Sequence, residues 1–140
     1  MKVAVLGASG YTGLELLRIL LRHPEFELAA VTSEQRAGLS VGEAFPSLRG
    51  QLELVFERSD PAALEGRVEL AFAALPHTAS APAVAALRGA GIAVVDLSAD
   101  FRLQDAATYQ QWYGEHGAPD LFGCVCDVSI FGLAPEMICA

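Results

Sequence analysis

Apolar residues follow two different rhythms along the chain. Residues 3–6 (VAVL) form an unbroken apolar run bounded by Gly7, the character of a strand buried on both faces. From Tyr11 the rhythm changes, and Leu14, Leu17, Leu20 and Leu21 recur at helical spacing until Pro24, which stops a helix. The alternation then repeats. Residues 26–32 (FELAAVT) predict a second strand, and the polar, glycine-bearing residues 33–50 predict mostly loop. Residues 52–55 predict a short strand, and residues 69–75 (ELAFAAL) a stronger one. The alanine-rich residues 78–88 predict a helix closed by Gly89 and Gly91, with Pro82 in the first turn, where a missing N–H is tolerated. Residues 92–97 (IAVVDL) predict another strand, and residues 106–116, with Tyr109, Trp112 and Tyr113, a weaker helix. Periodicity fails over residues 122–140.

Strands alternating with helices of this length specify an α/β fold, a doubly wound, Rossmann-like parallel sheet with helices on both faces. Ligands of such folds sit beyond the carboxyl ends of the strands. Residues 1–122 are expected to form this domain, with residues 123–140 a divergent tail.

Composition narrows the function. The chain has 140 residues, 53% hydrophobic and 19% charged, which suits one globular domain. Seventeen acidic against nine basic residues give a net charge of −8, a surface that repels nucleic acid. No apolar run approaches the roughly 20 residues of a membrane span, and the start lacks signal-peptide architecture. A cytoplasmic protein is expected. Cys124, Cys126 and Cys139 are odd in number and late in the chain, unlike a secreted disulfide framework. Their C-x-C spacing also differs from zinc and redox sites, and no metal is expected.

Gly7, Gly10 and Gly13 lie where the first strand gives way to the first helix. In that context a G-x-x-G-x-x-G pattern lets backbone approach a pyrophosphate and aims helix amides at it. The alternative is a tight turn with no ligand. Tyr11 and the hydroxyls of Ser9 and Thr12, which can donate to phosphate, complete the candidate cofactor contacts of this turn. A valine at Gly10 or Gly13 is expected to abolish cofactor binding and leave the fold intact. After the second strand, Ser33 and Arg36 suit the 2′-phosphate of NADP, while Glu34 could serve the ribose of NAD instead or pair with Arg36. The reading favours NADP(H).

Two later stretches make the pattern specific. ALPH (residues 74–77) and VVDLSADFR (residues 94–102) follow strong strands and, with GASGYTG and YGEH (residues 113–116), resemble N-acetyl-gamma-glutamyl-phosphate reductase over about residues 1–122. The resemblance implies NADPH-dependent reduction of a small acyl phosphate to an aldehyde in arginine biosynthesis, by a homo-oligomeric enzyme. It implies that a cysteine thiolate attacks the carbonyl and that hydride reduces the thioester. It places Leu75, Pro76 and His77 beside the cofactor, Ser98 near its nicotinamide end, and Arg102 toward the substrate's anionic groups. Asp96 and Asp100 are expected to cap and brace rather than react.

The family's Asn-Pro-Gly-Cys-type stretch is absent, and Cys124, Cys126 and Cys139 have different neighbours. Residues 132–136 (GLAPE) only loosely match the family's Gly-Leu-Pro-Glu. The chain is therefore expected to supply the cofactor half and to be inactive alone. A non-catalytic NADP-binding module, an aspartate-semialdehyde dehydrogenase-like protein and a carrier-linked lysine-pathway paralogue stay open. A short-chain dehydrogenase needs Tyr-x-x-x-Lys, and the only lysine is Lys2.

Overall fold

Successive residues of the first strand, β1 (Lys2–Leu6), face opposite ways, and both directions lead into a core. Val3 and Val5 pack with Leu17 and Leu20 of helix α1 (Tyr11–Leu20). The computed structural model, which describes residues 1–103, 105–122 and 126–127, places α1 against β1 with helical apolar spacing on its inner face, as the rhythm of leucines predicts.

Ala4 and Leu6 enter a second cluster, formed with Ala81, Val84 and Leu87 of a later helix on the opposite face. This two-sided burial is the reason the strand sequences read as continuous apolar runs. The remaining elements are β2 (Glu27–Val31), α2 (Val41–Ala44), β3 (Leu70–Ala73), α3 (Ser80–Gly89), β4 (Ala93–Asp96), α4 (Ala106–Tyr113) and β5 (Cys126–Asp127). Among the described residues all five strands are parallel, in the order β2-β1-β3-β4-β5. The doubly wound expectation holds. Because β1 has β2 on one side and β3 on the other, the chain reverses its direction of winding there, which opens a crevice at the strand ends.

One expectation here needs correction. Residues 52–55 do not form a strand. That backbone is divided between two partners: Leu54 accepts from Val41 N–H at 2.8 Å and Phe56 N–H donates to Leu39 at 2.9 Å. Glu57 instead bonds the end of β2, taking Ser33 N–H and donating to Val31, both at 2.9 Å. Neither partnership is long enough for a ladder. Residues 33–50 are mostly loop, as expected, with two short helical turns. Ser40 and Glu43 form a capping box, with Glu43 N–H on Ser40 Oγ at 3.2 Å and Ser40 N–H on Glu43 Oε2 at 3.1 Å, and this starts α2. A 3-10 turn at Pro46–Leu48 follows.

Pro82 occupies the first turn of α3, as expected. The helix ends in a Schellman arrangement: Gly91 has φ +74°, and Ile92 N–H bonds Leu87 O at 3.0 Å. The two residues of β5, within the stretch that periodicity left open, pair with Val95 and Asp96. Cys124, Cys139 and residues 132–136 lie outside the described residues, so the expectations about them do too. Among the described residues no helix is long and apolar enough to cross a membrane.

Candidate functional site

The three glycines after β1 do three different things. Gly7 has φ +71°, and a Cβ on it would lie 2.4 Å from Ala74 O, so it lets the first turn press against the end of β3. Gly13 seats α1 on its own strand, since a Cβ there would lie 2.5 Å from Ala8 Cα and 2.6 Å from Ala8 C and O. Gly10 is open: its Cβ would meet only Gly7 O, at 3.7 Å. The expectation that valine at either Gly10 or Gly13 spares the fold is thereby corrected for Gly13, where the collision is with backbone.

Gly10 also begins α1. It offers no capping side chain, and the first turn contains no acidic residue. The orphan amides and the positive end of the helix dipole are therefore left for something else. They lie at a cleft of about 590 Å³ that crosses three strand ends in sheet order. Ser33, Glu34 and Gln35 line it after β2, Gly7, Ser9, Gly10 and Thr12 after β1, and Ala74, Leu75, Pro76 and Ala79 after β3. A second depression, of about 260 Å³, shares Ser9 and Gly10 and adds Tyr11, Leu14, Arg36 and Phe45. Tyr11 is 95% exposed.

Ser9 Oγ and Ser33 Oγ are 2.7 Å apart, and Ser33 Oγ accepts Arg36 N–H at 3.2 Å. One hydroxyl proton of the pair is used between them, which leaves the other to donate. The Arg36 guanidinium sits 5.4 Å from the Phe45 ring centroid and gives one bond to Ala44 O at 3.3 Å. It does not pair with Glu34, whose carboxylate accepts Ser59 N–H at 2.9 Å. Four of its five donors are thus not used by that bond.

On the far side of the sheet the residues meet differently. His77 is exposed, its ring edge-on to Tyr113 with centroids 5.8 Å apart. Ser98 is buried; its hydroxyl donates to Asp96 Oδ2 at 2.6 Å and accepts Asp100 N–H at 3.0 Å. Arg102 is exposed and donates to Ser98 O at 3.3 Å. The structure thus gathers Gly7, Ser9, Gly10, Thr12, Ser33, Leu75 and Pro76 around one cleft, with Tyr11 and Arg36 adjoining. Gly13 is buried behind it, and His77, Ser98 and Arg102 belong to the loops after β3 and β4.

A bare helix start, a backbone position where a Cβ would enter open space, and a cation with a hydroxyl pair beside it fit a dinucleotide. A family model described as semialdehyde dehydrogenase, NAD binding domain, matches residues 2–119. The chain belongs to that family. This semialdehyde dehydrogenase domain is 51% identical over 137 residues to the N-acetyl-gamma-glutamyl-phosphate reductase of Geobacter sulfurreducens, covering 98% of the chain and 38% of that relative. It is 50% identical over 121 residues to the reductase of the same name from Geobacter sp. strain M21, covering 86% and 35%. The domain therefore spans little more than a third of the curated relatives it matches, and the first of these matches runs past Phe122. Among solved structures, aspartate semialdehyde dehydrogenase with NADP from Candida albicans superposes with a TM-score of 0.63 at 26% identity, covering 75% of this chain and 31% of that one. The cofactor of the domain is a nicotinamide dinucleotide.

Asp96 and Asp100, read as braces, are both fully buried in the semialdehyde dehydrogenase domain. Asp96 accepts from Ser80 and Ser98; burial pushes its carboxyl above the usual range, against these hydrogen bonds, and the Asp100 charge adds to the rise. Asp100 accepts from Tyr109 OH at 2.8 Å, and burial and this bond push the phenol's pKa upward. Thr78, Phe45, Tyr109 and His116 were not singled out as site residues. The YGEH stretch offered a local signal for His116; Thr78, Phe45 and Tyr109 had none, because each owes its place to a contact made by the fold.

Proposed function

We propose that this domain binds NADPH and forms the cofactor half of a reductase that converts N-acetyl-gamma-glutamyl phosphate to its semialdehyde and phosphate. The uncapped start of α1, opening on the cleft at Gly10, carries the cofactor assignment. The named relatives support the choice of reaction, which is assigned to a protein of their full length.

In this reading the amides of Tyr11, Thr12 and Gly13 bind the pyrophosphate, and Gly7 and Gly10 let backbone come close enough. Ser9 and Ser33, sharing one hydrogen bond, donate their remaining proton to the cofactor. Arg36 binds the 2′-phosphate, and this favours NADPH over NADH, since Glu34 is held by Ser59 and does not neutralise it. Leu75 and Pro76 form an apolar wall that excludes water from the ring, with His77 at its outer end. Ser98 acts through the loop that it braces, and Arg102 faces the acyl phosphate's anionic groups. When bound, the reduced nicotinamide supplies the hydride.

Titration of the purified chain, following nicotinamide fluorescence, tests the assignment. NADPH is expected to bind, and more tightly than NADH. A folded chain that binds neither would remove the reading.

A further inference from the structure

The turn into α3 and helix α4, far apart in sequence, converge on one carboxylate. Asp100 Oδ1 accepts Thr78 N–H and Tyr109 OH, both at 2.8 Å, and Oδ2 accepts Ala81 N–H at 2.9 Å. The rest of the residue is pinned as well. Its N–H donates to Ser98 Oγ at 3.0 Å, and its carbonyl lies 2.7 Å from His116 Nε2. Ala118 N–H donates to His116 Nδ1 at 3.0 Å, so a neutral ring carries its proton on Nε2 and gives it to that carbonyl.

Thr78 is the one described non-glycine residue with positive φ, +70°. A β-branched residue avoids that region, and it persists there only when its surroundings enforce it. Thr78 ends the segment whose earlier members, Leu75 and Pro76, line the cleft, and Ala79 lines it on the other side. The path of the wall therefore depends on a conformation that the chain would leave if released. The buried carboxylate bonded to Thr78 N–H is what holds it.

We propose that Asp100 is a positioning residue for the cofactor cleft: from the loop after β4 it clamps Thr78 in the left-handed region, and this fixes the wall that Leu75 and Pro76 present. The proposal rests on reading that cleft as the NADPH site. Without the clamp the wall spends part of its time elsewhere, and apparent affinity falls by the fraction of time it is out of place.

The experiment measures NADPH dissociation constants and chemical denaturation on the full chain. Asp100→Asn replaces one of the two accepting oxygens by an NH2 donor and is expected to raise Kd about tenfold. Thr78→Pro removes the clamped N–H and forbids positive φ, while the groups of Ala81 and Tyr109 that bond Asp100 are unaltered. It is expected to raise Kd to a similar degree and keeps the test decisive where Asp100→Asn does not fold. Val84→Ala, in the buried face of α3 away from the cleft, lowers stability and is expected to leave Kd unchanged. A folded Asp100→Asn or Thr78→Pro that binds NADPH like the wild type would overturn the positioning role and leave the NADPH assignment standing. So would a Val84→Ala variant whose Kd rises as far as theirs. A wild-type chain that fails to bind would overturn the NADPH assignment and the positioning role with it.

Discussion

The turn after β1 leaves the start of α1 bare, with Gly10 at the cap and no acidic residue in the first turn. At the turn after β3 the amides of Thr78 and Ala81, at the start of α3, are met by a buried carboxylate, Asp100, which reaches them from the loop after β4. Both helices begin with donors that have no intrahelical partner and a partial positive charge. At α3 the chain supplies the anion itself. At α1 it supplies none and clears the space with glycine, which is what a site for an external phosphate requires. The two turns also face a common cleft, so the filled one serves as wall to the open one.

The largest effect expected from breaking this contrast is at Gly13. Valine there drives Cβ into Ala8 backbone, 2.5 Å away, and neither α1 nor β1 can yield without losing the core of Val3, Val5, Leu17 and Leu20. Gly13→Val should lose about 3 kcal/mol or more in urea denaturation. Wild-type stability would show that α1 does not depend on this approach. Gly10→Val is the counterpart on the open side. Its side chain meets no protein atom closer than 3.7 Å from Cβ, so circular dichroism and denaturation should stay close to wild type. NADPH affinity should drop at least about 100-fold, about 2.8 kcal/mol. Retained binding in the folded variant would make the glycine turn a mere turn.

At the edge of the open side, Arg36→Ala should weaken NADPH by about 1.5–3 kcal/mol, the worth of a charge-assisted bond, and leave NADH almost unchanged. Equal weakening of both cofactors would remove Arg36 from the 2′-phosphate. It would point instead to its packing over Phe45.

The open turn was legible in the sequence and the filled one only in part. Gly7, Gly10 and Gly13 advertise themselves because glycine is needed where backbone must pass close to something. Which glycine meets protein and which meets solvent depends on contacts between elements, and spacing does not carry those. The alternation of strand and helix was readable because β1 buries both faces, and Val3 to Leu6 are apolar without a break. Residues 52–55 misled because the backbone there and just after it serves two partners in turn. The capping box at Ser40 and Glu43 was present as S-x-x-E but lay among Gly38, Gly42 and Pro46, which argue for loop. Asp96, Ser98 and Asp100 alternate visibly, and two of them were read as braces. The left-handed Thr78 was not foreseeable, because threonine argues against that conformation and only a residue 22 positions away imposes it.

The smallest expected effect concerns the cost of filling a turn from within. Asp96 is fully buried beside Asp100, and burial raises its pKa from 3.8, with the neighbouring charge adding to the rise and Ser80 and Ser98 opposing it. The folded protein therefore holds the Asp96 proton more tightly than the unfolded chain does. Its contribution to stability is complete below pH 3.8 and is lost as pH rises through the elevated folded value. Asp96→Asn removes the charge and keeps one acceptor for Ser80 or Ser98, so its stability at pH 7 should lie within about 1 kcal/mol of wild type. Groups that do not interact with Asp96 cancel in the difference between their denaturation free energies. That difference should move in favour of the asparagine variant as pH rises from about 3.8 and then level off. A flat difference would mean that Asp96 titrates in the fold as it does in the unfolded chain. A drift toward the wild type would mean that the hydrogen bonds from Ser80 and Ser98 outweigh burial. The open turn, which has no buried carboxylate in its first helical turn, should show no such dependence in Gly10→Val.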